Sequence, residues 1–79
     1  MSEVSPEKTL DAKGLKCPMP VVKTSKEIKT VAVGSVLEVL ATDPGSMADI
    51  MAWTKSTGNE LLKSEKDGDV FRFYIRRVK

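Results

Sequence analysis

The sequence predicts an α+β domain with the element order β-α-β-α-β-β, in which both helices cover one face of a single sheet. Two observations support this prediction. In the first part of the chain, segments with the two-residue alternation of strands are separated by segments with the apolar spacing of helices. The last quarter instead contains two strand-like arms around an Asp-Gly turn signal at 67–68. Because a helix separates the first two strands, we expect them to be parallel and joined by a right-handed crossover.

The first strand and the first helix are predicted from residues 9–30. Residues 9–12 alternate, with Leu10 and Ala12 facing inward and Asp11 facing outward. A loop at 13–16 leads into a helix from about residue 18 to residue 30, and Gly34 marks its exit. The inward positions of this helix recur at helical spacing and are predicted to be Val21, Val22, Ser25 and Ile28.

The second strand and helix are predicted over residues 36–58. Residues 36–42 are apolar on both faces, which is typical of a central strand, and the residues on one of these faces are Leu37, Val39 and Ala41. A helix follows from the Asp-Pro-Gly stretch at 43–45 to about residue 56. Its N-cap is predicted to be Asp43 or Ser46, and Gly58 is predicted to be its left-handed C-terminal cap.

The last two strands are predicted to form a hairpin with arms at 60–66 and 70–78. The turn between the arms is assigned to Asp67–Gly68, with positive φ at Gly68. The second arm alternates between inward and outward positions, and its inward residues are Phe71, Phe73 and Ile75.

Length and composition limit the classes of protein that the chain can represent. Seventy-nine residues form one domain, with residues 1–7 expected to be a flexible tail. No apolar run is long enough to span a membrane, and a net charge of +2 is too small to indicate nucleic-acid binding by itself. The single cysteine excludes an internal disulfide, and the lack of histidine removes the commonest general base and metal ligand. We expect a cytoplasmic monomer without cofactor or metal.

The one cysteine lies in the stretch GLKCPMP, residues 14–20. Pro18 suits the first position of the helix, where its missing N–H has no partner, so Cys17 is predicted to be the N-cap. Since Pro20 also lacks an N–H, Met19 is the only amide donor among the first three helical positions. We expect the helix dipole and the nearby Lys13 and Lys16 to lower the pKa of the thiol moderately.

An exposed, rigidly presented thiol without supporting residues has few chemical uses. Pro20 occupies the place of the second cysteine in a C-x-x-C redox motif, and no histidine is present to act as the base of a hydrolytic cysteine. The alternative is a purely structural role, in which the cysteine is inert and buried as a small apolar residue. The flanking glycine, lysines and prolines favour a surface turn instead. What remains is a thiol that takes a group from one protein and gives it to another, with the catalytic machinery supplied by its partners.

These residues resemble the signature of the TusA/SirA-like sulfur carriers, whose motif is C-P-x-P. The likeness spans roughly residues 8–78 and includes Leu10–Asp11, Gly14–Leu15, Cys17–Pro18, Pro20, Asp43–Pro44, Asp49–Ile50, Trp53 and 58–62. It implies a two-layer α/β sandwich with a mixed four-stranded sheet. It also implies that Cys17 carries sulfur as a persulfide from a cysteine desulfurase or a rhodanese-like donor. The acceptor would be a protein with a reactive cysteine in tRNA thiolation, molybdenum-cofactor metabolism or sulfur oxidation.

Supporting roles are predicted for Pro18, Pro20, Lys13, Lys16 and Gly14, and partner docking for Met19 and Lys16. Met19 fills the variable place of the motif, between two prolines. We therefore expect its side chain to be exposed beside the sulfur, with a place in the core as the alternative.

Two other functions stay open at this stage. Arg72, Tyr74 and Arg76 mix basic and aromatic side chains on one strand face, as in small RNA-binding modules. Against this function, the chain has no G-x-x-G loop. The second alternative is a redox sensor in which Cys17 is oxidised reversibly.

Overall fold

The computed structural model describes residues 6–16 and 19–78, and within them it confirms the predicted order of strands and helices. None of the helices in these two stretches is long and apolar enough to cross a membrane. The elements are β1 (Lys8–Ala12), α1 (Met19–Glu27) with a following 3-10 turn (Ile28–Thr30), β2 (Val36–Ala41), α2 (Ser46–Thr57), β3 (Glu60–Asp67) and β4 (Val70–Arg76).

The four strands form one mixed sheet in the order β1-β2-β4-β3. β1 and β2 are parallel, as predicted, with Ala12 opposite Ala41 at their carboxyl ends. β4 pairs antiparallel with both β2 and β3. β2 is therefore a central strand, which confirms the interpretation of its apolar pattern. The N–H of Glu7 donates to the carbonyl of Val36 at 2.7 Å, so pairing continues one residue before β1.

The core lies between one face of the sheet and the two helices. The strand residues predicted to face inward are buried or half-buried, and Phe71 and Phe73 stack with ring centroids 6.5 Å apart. Alternate strand residues point to opposite faces, which is why a period of two in the sequence identifies this face. The cluster of fully buried apolar residues is Ile28, Val31, Leu37, Val39, Ala41, Ile50, Phe73 and Ile75.

The buried face of α1 differs from the prediction. The prediction placed Val21, Val22, Ser25 and Ile28 inward, and of these Ile28 is buried while Val21 and Ser25 are half-buried. Val22, however, is 39% exposed, and the other buried positions are Pro20 and Thr24. Thr24 is polar, yet its hydroxyl donates to the carbonyl of Pro20 at 2.7 Å. A buried hydroxyl that makes this bond leaves no unpaired donor in the core. A pattern based on apolar residues alone could not detect the buried position of Thr24.

The two ends of α2 were predicted with different success. Gly58 has φ +80 and its N–H donates to the carbonyl of Thr54, which confirms the left-handed cap. The predicted N-cap, Asp43 or Ser46, was wrong: the cap residue is Gly45, without a side-chain bond. Asp43 instead accepts the N–H of Gly45 at its own carboxylate, 3.2 Å away, and stabilises the turn before the helix.

The hairpin turn is shifted by one residue from its predicted place. Asp67 still belongs to β3 and pairs with Val70, so the two loop residues are Gly68 and Asp69. Gly68 has φ +62, as predicted, and no non-glycine residue among those described has positive φ. Positive φ at the first loop position only is the pattern of a type II′ turn, whereas Asp-Gly as the loop itself would favour type I′.

Candidate functional site

The carboxyl ends of β1 and β2 bring two connections to the same edge of the sheet. Ala12 and Ala41 are opposite each other in a parallel pair, so the residues that follow them leave the sheet side by side. The first connection, the β1 loop (residues 13–16), leads to Cys17. The second connection leads to α2. Loops that follow neighbouring parallel strands share one edge, and this is where α/β proteins place their functional groups.

The β1 loop is held by both local and distant hydrogen bonds. The N–H of Lys13 donates to the carboxylate of Asp11 at 3.0 Å, and the N–H of Leu15 donates to the carbonyl of Ala12 at 3.3 Å. Gly14 has φ +82, a conformation that glycine adopts at little cost. Its N–H donates to Oγ1 of Thr42 at 2.9 Å, across the edge of the sheet. The loop therefore has a defined position relative to the second connection.

Cys17 and Pro18, the central residues of the predicted site, lie outside the described residues. Their roles as N-cap thiol and first helical residue thus remain predictions. The structure does describe the residues on either side of them. The N–H of Met19 donates to the carbonyl of Lys16 at 2.8 Å.

Pro20 anchors the beginning of α1 in the core. It is fully buried, and its carbonyl accepts the hydroxyl of Thr24. The sequence predicted a supporting role for Pro20 from the stiffness of its ring alone. Its burial adds a second reason, because a side chain packed in the core fixes where the helix starts. The described residues on either side of Cys17 and Pro18 are consequently held, by the bond from Gly14 to Thr42 before them and by the burial of Pro20 after them.

The remaining predicted site residues are at the surface. Lys13 and Lys16 are exposed, so both ammonium groups are available near the segment that carries Cys17. Met19 is 43% exposed, which confirms its predicted exposure. Val22 lies one turn further along α1 and is 39% exposed. This end of α1 therefore presents apolar surface next to positive charge, a combination that suits contact with another protein.

The structure shows two further polar residues at this edge that the sequence analysis did not assign to the site. Thr42 accepts the bond from Gly14, and Ser46 is completely buried at the beginning of α2. Within the two described stretches, the hydroxyl of Ser46 has no hydrogen-bond partner. Neither residue belongs to the C-P-x-P motif, and single threonines and serines carry no periodic signal. Only the parallel pairing of β1 and β2 brings them to this edge.

An open groove separates the two helices on the side away from the sheet. It has a volume of about 390 Å³, and its lining residues are Val21, Asp49, Ala52, Trp53 and Ser56. The sequence analysis named Trp53 among the residues that carry the resemblance to the TusA/SirA-like carriers, but it assigned this residue no role in the site.

The basic and aromatic side chains of β4 are paired with glutamates on the uncovered face of the sheet. Arg72 forms an ion pair with Glu38 at 3.3 Å, and Arg76 forms one with Glu60 at 3.0 Å. The hydroxyl of Tyr74 donates to Glu38, and burial together with this bond raises the pKa of Tyr74 above its ordinary value. Because carboxylates neutralise these arginines, the face lacks the excess of positive charge that nucleic acid requires.

Comparisons with known proteins identify relatives over almost the whole chain. Residues 8–77 match the model of a family described as sulfurtransferase TusA. The sulfur carrier protein TusA of Allochromatium vinosum is 45% identical over 71 residues, which are 90% of this chain and 93% of that protein. YrkF of Bacillus subtilis is 56% identical over 68 residues, which are 86% of this chain but only 37% of YrkF. A crystal structure of a SirA-like protein from Desulfitobacterium hafniense superposes with a TM-score of 0.78 at 27% identity, covering 91% of this chain and 99% of that one.

Proposed function

Because the chain belongs to the TusA sulfurtransferase family, we propose that Cys17 accepts sulfur as a persulfide and passes it to a second protein. The observation that carries this proposal is that the only cysteine of the chain lies in the C-P-x-P motif. The segment around it is held by the bond from Gly14 to Thr42 and by the burial of Pro20. A thiol in such a segment can be presented to a partner without opening the fold.

Sulfur uptake is a transfer between two sulfur atoms. The thiolate of Cys17 attacks the terminal sulfur of a persulfide on the donor enzyme, and a new S–S bond forms on Cys17. The S–S bond of the donor breaks, and its electron pair stays on the donor cysteine, which leaves as a thiolate and takes up a proton. No external oxidant or reductant is needed, because the transferred sulfur keeps its oxidation state.

Sulfur delivery repeats the same chemistry with the roles reversed. A cysteine thiolate of the acceptor attacks the terminal sulfur on Cys17, and Cys17 leaves as a thiolate. Lys13 and Lys16 favour this leaving group, since nearby positive charge stabilises a thiolate. The chain contains no histidine that could activate the incoming thiol, so the acceptor supplies its own base.

Partners reach the site through the exposed end of α1. Met19 and Val22 provide apolar contact area, and Lys16 provides charge at the same end. Donor and acceptor must both approach Cys17, so they compete for this surface. A cysteine desulfurase or a rhodanese-like protein is the donor proposed here, and a protein with a reactive cysteine is the acceptor.

The test is a sulfur-loading experiment with a cysteine desulfurase and free cysteine. Mass spectrometry of the intact wild-type protein should show one added sulfur that a reducing agent removes. Cys17→Ser and Cys17→Ala should gain none, while circular dichroism shows that both remain folded. Sulfur on either variant, or a native thiol that iodoacetamide cannot reach until the protein is denatured, would contradict the proposal.

Mass spectrometry of the protein isolated from cells distinguishes a sulfur carrier from the two alternative functions. A carrier should contain a persulfide on Cys17. A redox sensor should contain a sulfenate or a mixed disulfide. A bare thiol under all growth conditions would favour a role that does not involve Cys17, such as binding RNA.

A further inference from the structure

Thr42 joins the two connections at the edge of the sheet. It is the first residue after β2, and its Oγ1 accepts the N–H of Gly14 at 2.9 Å. These two residues are 28 positions apart in the sequence. The other hydrogen bonds described for the β1 loop are local: from Lys13 to Asp11, from Leu15 to Ala12 and from Met19 to Lys16. The bond to Thr42 thus relates the loop to a different part of the fold.

A side chain is required here because backbone pairing stops just before this point. The ladder between β1 and β2 ends at the pair Ala12 and Ala41. Beyond it, the N–H of Gly14, a residue with φ +82, donates to a side chain instead of a strand carbonyl. The hydroxyl of Thr42 takes the place of a ladder carbonyl, so the loop stays aligned with β2 two residues past the last pair. Thr42 itself is only half-buried and lies outside the core cluster.

We propose that Thr42 is a positioning residue for sulfur exchange. Its hydroxyl holds the N–H of Gly14, three residues before Cys17, and thereby fixes the position of the β1 loop that the partner protein meets. This inference rests on the proposed function of Cys17. A persulfide can be transferred only when the sulfur atoms of two proteins come into contact in line. A small displacement of either atom therefore slows the reaction strongly. A small reagent such as iodoacetamide has no docked orientation and reaches a thiol from many directions.

The experiment compares three variants with the wild type. Thr42→Val keeps the shape of the side chain and removes the hydroxyl, whereas Thr42→Ser keeps the hydroxyl. The matched control is Thr9→Val, which removes a hydrogen bond of the same length, from Thr9 to Glu38 at 2.9 Å, on the uncovered face of the sheet. For each protein we would measure kcat/KM for sulfur transfer from a cysteine desulfurase, the rate of alkylation by iodoacetamide, and the melting temperature.

We expect Thr42→Val to lower kcat/KM about three- to tenfold, which corresponds to the loss of one hydrogen bond. The rate of alkylation by iodoacetamide should stay at the wild-type value. Thr42→Ser should restore transfer, and Thr9→Val should leave it unchanged. Both valine variants should have similar melting temperatures, because each loses one bond near the surface.

Three results would overturn the inference. Transfer by Thr42→Val at the wild-type rate would show that the hydroxyl does not position the loop. An equal loss of transfer in Thr9→Val would show a general effect of stability. If the wild type takes up no sulfur at all, the proposed function itself fails and the role of Thr42 fails with it, an outcome distinct from the first two.

Discussion

Gly14 and Gly68 have nearly the same backbone conformation in two turns that are held in different ways. Their φ angles are +82 and +62, and at neither residue would an added Cβ meet a heavy atom within 4 Å. A side chain would therefore cost a similar amount at both positions, through backbone strain alone. Gly68 connects two strands that pair up to the turn, with Asp67 opposite Val70. Gly14 lies beyond the end of a ladder and is held by Thr42.

The comparison shows that two glycines with the same backbone conformation can have different roles, because different contacts determine their positions. The position of Gly68 is determined by its immediate neighbours in the chain, so any change there concerns the stability of the hairpin. The position of Gly14 depends on a residue 28 positions away, and the loop it belongs to leads to Cys17. A change at Gly14 should therefore affect both stability and sulfur transfer.

The largest effect is expected for Gly14→Val. Valine at positive φ should lower the free energy of unfolding by about 1–2 kcal/mol. The displaced loop should also lower kcat/KM for sulfur uptake by about tenfold, because misplaced reacting groups slow a transfer. Chemical denaturation and the desulfurase assay measure the two effects. If Gly14→Val took up sulfur at the wild-type rate, the two glycines would not differ in their effect on sulfur transfer.

Gly68→Val should have the same effect on stability and none on transfer. We expect a loss of about 1–2 kcal/mol, or roughly 5–10 °C in the melting temperature of a domain of this size. The hairpin turn lies at the same edge of the sheet as the end of β1, but it joins β3 and β4, and β2 lies between these strands and β1. Uptake of sulfur should therefore proceed at the wild-type rate. An unchanged melting temperature would mean that the strain at Gly68 is relieved elsewhere. Slower transfer would mean that the two turns are coupled.

The smallest effect on stability is expected for Met19→Glu, on the same side of the molecule as Gly14. Met19 is 43% exposed, so its replacement should leave the melting temperature nearly unaltered. The new negative charge should instead change the relative rates with different donor proteins, because it alters the apolar and basic surface at the end of α1. Val33→Glu is the matched control, since Val33 is 61% exposed in the turn after α1. A clear loss of stability in Met19→Glu alone would assign Met19 a packing role.

Much of the fold follows from local patterns. The alternation of Leu37, Val39 and Ala41 identified the buried face of β2, and Phe73 and Ile75 did the same for β4. A strand residue points to one face or the other by geometry alone, so a short stretch of sequence contains the necessary information. Gly58 was also identified correctly, because the left-handed cap of a helix requires a residue without a side-chain penalty.

The hairpin and the first helix show where local patterns are insufficient. Asp-Gly indicated a turn, but the pairing of Asp67 with Val70 placed the loop one residue later. In α1, the prediction chose Val22 and passed over Thr24, although the structure buries Thr24. In both cases a residue was assigned by its own propensity, whereas its backbone or side-chain bond to a second residue, Val70 for Asp67 and Pro20 for Thr24, goes with its actual position.

By itself, the sequence determined the order of the elements, the inward faces of the strands and the single thiol of the C-P-x-P motif. These properties depend on neighbours within a few residues, and periodicity and turn chemistry express them directly. Tertiary structure alone decided that Thr42 meets Gly14, that Pro20 is buried and that glutamates neutralise Arg72 and Arg76. The physical reason is that a hydrogen bond, a packed ring or an ion pair needs two groups in contact. The sequence names the groups, but only the folded sheet brings them together.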